Sequence, residues 1–83
     1  MRKVIHTMLN INTLNKNLQQ RLEWCKNSTN IEAKRTYLNQ AYGMVDMFSQ
    51  LAWINGQVTL QYEAYNLWSD DFGPKFHKEI YGE

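Results

Sequence analysis

The chain has 83 residues, 43% hydrophobic and 13% aromatic content, and a formal net charge of +1 at pH 7. This length allows one domain with a thin core, and the apolar content excludes an intrinsically disordered protein. The single cysteine, Cys25, excludes a disulfide framework within the chain. The N-terminus does not resemble a signal peptide, and no run of about 18 apolar residues is present. We expect one cytoplasmic domain, residues 1–83, that does not enter a membrane.

Charge is unevenly distributed between the two halves of the chain. Residues 1–35 contain seven basic and two acidic residues, a net charge of +5, whereas residues 36–83 have a net charge of −4. The simpler interpretation is that antiparallel helices pair these opposite charges within one molecule. The alternative is that the asymmetry orients self-association, or attracts an acidic partner to the N-terminal half.

The first predicted helix covers about residues 8–26, with Asn10 or Asn12 as its cap. Its apolar residues recur at steps of three or four and form one narrow stripe: Ile11, Leu14, Leu18, Leu22 and Cys25. The other positions are almost all polar, except Trp24, which lies well away from the stripe. This helix therefore offers little apolar surface to its neighbours.

A loop of turn-forming residues, Asn27 to Asn30, ends the first helix. Thr29 with Glu32 matches a capping box for the helix that follows. Because the loop is short, the two helices are expected to be antiparallel neighbours.

The second predicted helix, residues 30–55, has a wider apolar surface than one small chain can cover. At roughly 100° per residue, one broad face contains Tyr37, Leu38, Ala41, Met44, Val45, Phe48, Leu51 and Ala52. Tyr42 and Trp53 extend this face on one side. Met47 and Ile54 extend it on the other. The narrow polar remainder consists of Asn39, Gly43, Asp46 and Gln50. The arc is about twice the usual width of roughly 100°, so a third helix is expected to cover part of it and a second molecule the rest.

Asn55 and Gly56 are predicted to end the second helix, with Gly56 in the left-handed conformation. A hairpin is the alternative, because a strand-like alternation follows at Val58, Leu60, Tyr62 and Ala64. A lone strand has nothing to pair with, so the helix is favoured. The third predicted helix covers about residues 59–69 and is capped by Thr59.

The segment from Asp70 to Pro74 is expected to interrupt the helical chain, and Pro74 suits the first turn of a last helix. Phe72, Phe76 and Ile80 would share one face there. The predicted fold is all-α: an antiparallel three-helix arrangement plus a short C-terminal helix or turn, self-associating, with helices at about residues 8–26, 30–55 and 59–69.

Neither a catalytic nor a metal-binding pattern is recognisable in the sequence. Cys25 continues an apolar stripe and is predicted to be a small buried residue, and no base is placed to activate it. The remaining candidate ligands match no known ligand spacing: Asp70, Asp71, His77 and Glu79. We therefore expect no enzyme activity, no metal and no cofactor.

The basic N-terminal half makes nucleic-acid binding an alternative. Candidate contacts to nucleic acid or to an acidic partner are Arg2, Lys3, Lys16, Arg21, Lys34 and Arg35. A phosphate-binding face needs such residues clustered on one side. On the first helix Lys16, Arg21 and Lys26 point in three directions, so nucleic-acid binding is not favoured.

Apolar residues at the margins of the expected buried stripes predict a protein interface. The predicted interface residues are Trp24, Tyr42, Met47, Trp53 and Ile54. Trp and Tyr at such margins are typical interface anchors, although they also suit a planar ligand held between subunits. Other large side chains are expected in the core instead: Tyr37, Phe48, Leu51, Tyr65 and Trp68.

The function expected from these patterns is a small non-enzymatic helical protein that acts by protein–protein contact. It would work as a homo-oligomer, a dimer or larger. It would also contact another protein as an accessory regulator or inhibitor, of the kind encoded by a phage or mobile element. The alternatives are a protein that sequesters a nucleotide-like ligand between its subunits, and a regulator that binds nucleic acid.

Overall fold

The computed structural model describes residues 9–82, of which 88% are helical and none is in a strand. The elements in chain order are α1 (Ile11–Asn27), α2 (Ile31–Ile54), α3 (Val58–Leu67), a π-helical turn (Trp68–Phe72) and α4 (Gly73–Tyr81). The predicted all-α fold of three main helices and a C-terminal helix is confirmed. The helix bounds differ from the predicted ones by one to three residues.

Helix α1 begins at Ile11 because Asn10 caps it. The Asn10 side chain accepts a hydrogen bond of 2.8 Å from the N–H of Asn12, which satisfies one of the free donors at the helix start. Of the two predicted caps, Asn10 is therefore the correct one. The predicted apolar stripe is also confirmed, because its members are buried: Leu14, Leu18, Leu22 and Cys25, with Ile11 half-buried.

Asn30, and not Thr29, caps α2. The Asn30 side-chain oxygen accepts from the N–H groups of Glu32 at 2.7 Å and Ala33 at 3.4 Å. The predicted capping box of Thr29 with Glu32 is wrong, because Asn30 stands one residue closer to the helix and takes both free donors. Asparagine is also the stronger of the two cap residues.

Replacing Asn30 with alanine is expected to lower the free energy of unfolding by about 1 kcal/mol, because two N–H groups lose their acceptor. Thr29→Ala, one residue earlier, is expected to change it little. Urea unfolding followed by circular dichroism measures both variants. A larger loss for Thr29→Ala than for Asn30→Ala would contradict this assignment.

Helix α2 ends in a Schellman motif at Asn55 and Gly56. The N–H of Gln57 donates to the carbonyl of Ala52 at 2.7 Å, and the N–H of Gly56 donates to that of Trp53 at 3.0 Å. Gly56 has a φ of 75°, as predicted. This turn leads directly into α3, so the alternative hairpin does not form.

Helix α3 starts at Val58 without a side-chain cap. The prediction that Thr59 caps it is wrong, because the Schellman turn already directs the chain at Gln57 into the helical path. The N–H of Gln61 accordingly donates to the carbonyl of Gln57 at 3.1 Å. Thr59 lies inside the first turn instead.

The expected interruption between Asp70 and Pro74 is also wrong, because a π-helical turn carries the chain from α3 into α4. Gly73 permits this path. A Cβ atom at Gly73 would lie 2.8 Å from the carbonyl oxygen of Trp68, closer than packing allows. Pro74 occupies the first turn of α4, as predicted, where its missing N–H is no loss.

The core lies where α1, α2 and α4 meet. Phe72 and Phe76 are its largest fully buried side chains, and they pack with Leu18, Leu22 and Val45. The shared face predicted for Phe72, Phe76 and Ile80 is therefore confirmed. Two residues expected in the core, Leu51 and Tyr65, are exposed, because no described element covers their side of α2 or α3.

One ion pair joins the basic and acidic halves within residues 9–82. Lys34 Nζ lies 3.7 Å from a Glu79 carboxylate oxygen and donates to the carbonyl of Cys25 at 2.9 Å. The second ion pair of these residues, Lys75 with Asp71, lies within the acidic half. Pairing inside one molecule therefore accounts for only a small part of the charge asymmetry.

Ser49 is a polar residue in the buried face of α2. Its hydroxyl oxygen is fully buried and has no hydrogen-bond partner within residues 9–82. Ser49→Ala is expected to raise the free energy of unfolding by about 1 kcal/mol, since it removes an unpaired polar group and favours the helix. Urea unfolding tests this, with Ser69→Ala as control, because the exposed Ser69 hydroxyl donates to the Tyr65 carbonyl. A loss of stability in Ser49→Ala would contradict the expectation.

Candidate interaction surface

The five residues predicted to form an interface are all exposed large apolar side chains. Their exposed fractions are Trp24 42%, Tyr42 50%, Met47 59%, Trp53 62% and Ile54 74%. They do not form one surface, because they lie on different sides of the helix pair. Only the last three share a region, the C-terminal half of α2.

Trp24 and Tyr42 belong to two separate aromatic clusters. The Arg21 guanidinium lies 4.7 Å from the centre of the Trp24 ring, and the Tyr37 ring lies 5.8 Å from it. Tyr42 meets Trp68 edge-on at 5.7 Å. Both side chains therefore have intramolecular contacts that account for part of their placement.

An exposed row of residues follows the outer side of α2. It consists of Gly43, Met47, Gln50 and Ile54, and we refer to it as the α2 seam. The spacing of four, three and four residues keeps the row on one side of the helix. The sequence pattern assigned Gly43 and Gln50 to the polar remainder of α2, so the seam as a unit was missed.

A groove of about 560 Å³ lies between α1 and α2 beside the α2 seam. Its apolar lining is Leu9, Leu14, Met44, Met47, Phe48 and Leu51. The groove exists because α1 has a narrow apolar stripe and α2 a wide one, while α3 and α4 pack on the other side of α2. That imbalance was the only signal of the groove in the sequence.

The polar residues of this α1–α2 groove lie along its rim. They are Asn10, Thr13, Asn17, Arg21 and Gln40. Arg21 is the only charged one among residues 9–82, and its Nε donates to Gln40 Oε1 across the groove at 3.1 Å. The groove is therefore an open, mostly apolar surface groove, with the hydrogen-bonded Arg21 side chain on its rim.

A second, smaller depression of about 360 Å³ lies between α2 and α3. It is lined by Gln50, Trp53, Ile54 and Gln61. In addition to Gln61, α3 presents three exposed apolar side chains: Val58, Tyr62 and Tyr65. With Met47 and Leu51, these exposed side chains give an apolar area on the order of 600 Å² around the end of α2, at the upper end of the roughly 300–600 Å² of the largest patch on a typical monomer.

The candidate basic residues lie in different surroundings. Lys16 is on a face of α1 with Asn12, Asn15 and Gln19. Arg21 is on the groove rim, Lys34 is held by Glu79, and Arg35 is exposed. Arg2 and Lys3 lie outside the described residues. Those that the structure describes do not form a continuous phosphate-binding face.

Cys25 is fully buried, as predicted for a small apolar residue of the α1 stripe. Burial raises the pKa of its thiol, the nearby Lys34 lowers it and Glu79 raises it further. The thiol is therefore protonated at neutral pH and shielded from reagents.

Within residues 9–82 no three His, Cys, Asp or Glu side chains are grouped as metal ligands, and no helix has the length and apolar character to cross a membrane. The chain matches no protein family, no curated protein and no solved structure. A functional assignment therefore depends on the chain's own residues.

Proposed function

We propose that this chain is a small non-enzymatic helical protein that acts by protein–protein contact and works as a homo-oligomer, a dimer or larger. It would serve as an accessory regulator or inhibitor in the cytoplasm, of the kind that a phage or mobile element carries. The observation that carries this proposal is the exposed apolar surface around the C-terminal half of α2.

The chemistry of this surface favours a protein partner. Met47, Trp53 and Ile54 are each more than half exposed, and no charged side chain stands between them. Protein interfaces are enriched in Trp, Tyr and Met and depleted in charge at their centre. Burying an area on the order of 600 Å² would contribute roughly 15 kcal/mol before the costs of association.

A small-ligand site is the second candidate, because the α1–α2 groove has a suitable size. Its volume of about 560 Å³ lies inside the usual range of roughly 300–1,000 Å³ for ligand pockets. A nucleotide-like ligand would need donors for its phosphates, and Arg21 is the only cation that the described part of the chain contributes to the lining. This favours an apolar occupant over a phosphorylated one.

The proposal is tested by capture from the native host, with the purified chain as bait. A specific partner is expected to co-purify and to be lost when Trp53 is replaced by alanine, because Trp anchors supply much of an interface's energy. Trp24→Ala tests the second aromatic cluster in the same way. Tyr81→Ala is the control, since Tyr81 is exposed on α4.

Two results would count against the proposal. Retention of the partner in both Trp variants would show that neither Trp24 nor Trp53 is needed for binding. A rise in melting temperature with a nucleotide or aromatic metabolite, scaling with its concentration, would favour the ligand-sequestering alternative instead.

A further inference from the structure

We infer that the α2 seam and the α1–α2 groove form one self-complementary surface, and that its occupant is a second copy of this chain, bound antiparallel across a two-fold axis. This rests on the proposed function, because it names one partner of the same surface. The two α2 helices would lie side by side at the centre, with an α1 helix on each outer flank.

The first observation is the spacing of the seam. Gly43, Met47, Gln50 and Ile54 follow the four–three–four rhythm of residues at a helix–helix contact. All four are exposed in the single chain. A seam of this rhythm fits another helix at a shallow crossing angle, with axes roughly 8–10 Å apart.

The second observation is that the seam contains both a knob and a hole. Ile54 is the most exposed large apolar residue, at 74%. Gly43 has no side chain, and no atom of residues 9–82 lies within 4 Å of the position its Cβ would take, so the space above it is open to a side chain of another molecule. A two-fold axis midway between Met47 and Gln50 places Met47 of each copy opposite Gln50 of the other. Gly43 lies four residues before Met47 and Ile54 four residues after Gln50, so Ile54 of each copy also lies opposite Gly43 of the other. Each copy supplies both parts, so the contact closes on itself.

The third observation is the distribution of charge. No seam residue is charged, and the nearest carboxylate, Asp46, accepts a hydrogen bond of 3.2 Å from Gln50. The antiparallel arrangement brings the C-terminal end of one α2 towards Gln40 and Arg21 of the other copy. The negative end of the helix dipole then faces Arg21 on the groove rim, which is favourable.

The available apolar area suits a small dimer interface. Met47, Leu51 and Ile54 supply it beside the seam and the groove, whereas a standard interface buries roughly 800 Å² on each partner, including its polar rim. The fraction of dimer depends on protein concentration through mass action, so its strength is measured by dilution.

The test compares the molar mass of the full chain and of its variants by light scattering across a dilution series. Gly43→Ala adds only a methyl group, which leaves most of the space above this position open, and alanine also favours the helix. The dimer of this variant is therefore expected to persist. Gly43→Arg fills the hole with a long charged side chain that the open space accommodates in the monomer. Asn15→Arg is the matched control, since it adds the same side chain to the face of α1 that points away from the α1–α2 groove.

Gly43→Arg is expected to raise the dimer dissociation constant about 30-fold or more, and Asn15→Arg to leave it unchanged. Ile54→Glu alone is expected to weaken the dimer in the same way. The double variant Gly43→Arg/Ile54→Glu places opposite charges together across the contact, and it is expected to recover about tenfold of the loss. Circular dichroism confirms that each variant remains helical.

The outcomes separate this arrangement from the proposed function. A dimer whose strength Gly43→Arg leaves unchanged would overturn the arrangement and leave self-association standing. Absence of recovery in the double variant would overturn the pairing of Gly43 with Ile54. A wild-type chain that stays monomeric throughout would overturn both the arrangement and the proposed self-association.

Discussion

A chain with alanine in place of Phe76 is expected to be largely unfolded even without denaturant. Phe76 is fully buried, and its ring stacks on Trp68 at 5.7 Å. Removing a buried phenylalanine costs about 3–5 kcal/mol, and a core of this size supplies a similar net stability of roughly 3–5 kcal/mol. Far-UV circular dichroism and urea unfolding measure the loss.

Phe48→Ala is the control for this prediction, because it removes the same ring from a half-buried site. Phe48 packs against the core, as the sequence pattern predicted, but it is only half-buried because it also lines the α1–α2 groove. Its replacement is expected to leave a folded chain of reduced stability. If Phe48→Ala unfolds the chain and Phe76→Ala does not, the assignment of the core is wrong.

Met47→Glu and Trp53→Glu are expected to leave the monomer helical and to disperse the oligomer. Both side chains are largely exposed in the single chain, so a carboxylate remains solvated there. In a dimer it would be buried without a partner, and the two carboxylates introduced by Met47→Glu would repel each other near the axis. We expect the dissociation constant to rise about 100-fold or more.

Circular dichroism and light scattering on the same samples measure both effects. Tyr81→Glu is the control, since it adds the same charge to an exposed site on α4. A tight dimer that persists in both α2 variants would place the interface elsewhere on the molecule.

The secondary structure was largely predictable because its signals are local. The three-to-four-residue rhythm of Leu14, Leu18 and Leu22 depends only on helix geometry, and the side chains are buried as that rhythm requires. Gly56 was predictable for the same reason, since a left-handed residue at a helix end favours glycine.

The features that were missed depend on tertiary packing. Asn30 is the stronger cap residue by type, but Thr29 with Glu32 matches a capping box, and only the backbone path of the loop decides between the two. The π-helical turn after Leu67 arises because Phe72 and Phe76 must reach the same core, while Gly73 permits close contact with Trp68. Propensity alone predicts a break at Gly73 and Pro74.

The candidate site was predictable only as an excess of apolar surface. The wide arc of α2 predicted that part of its apolar surface is left uncovered. Met47, Trp53 and Ile54 are exposed in the single chain, and their interface role stays a prediction. A helical wheel ranks residues by hydrophobicity, so it placed Gly43 on the polar side of α2. It gave no sign of the open space that the missing side chain leaves. The groove became visible only once the position of α1 was known.

The most direct test of self-association through α2 is the molar mass of the wild-type chain in solution, measured by light scattering over a wide dilution series. We expect a mass of twice 9.9 kDa or more at high concentration, falling towards 9.9 kDa as the sample is diluted. A mass of 9.9 kDa at every concentration, the highest included, would contradict it.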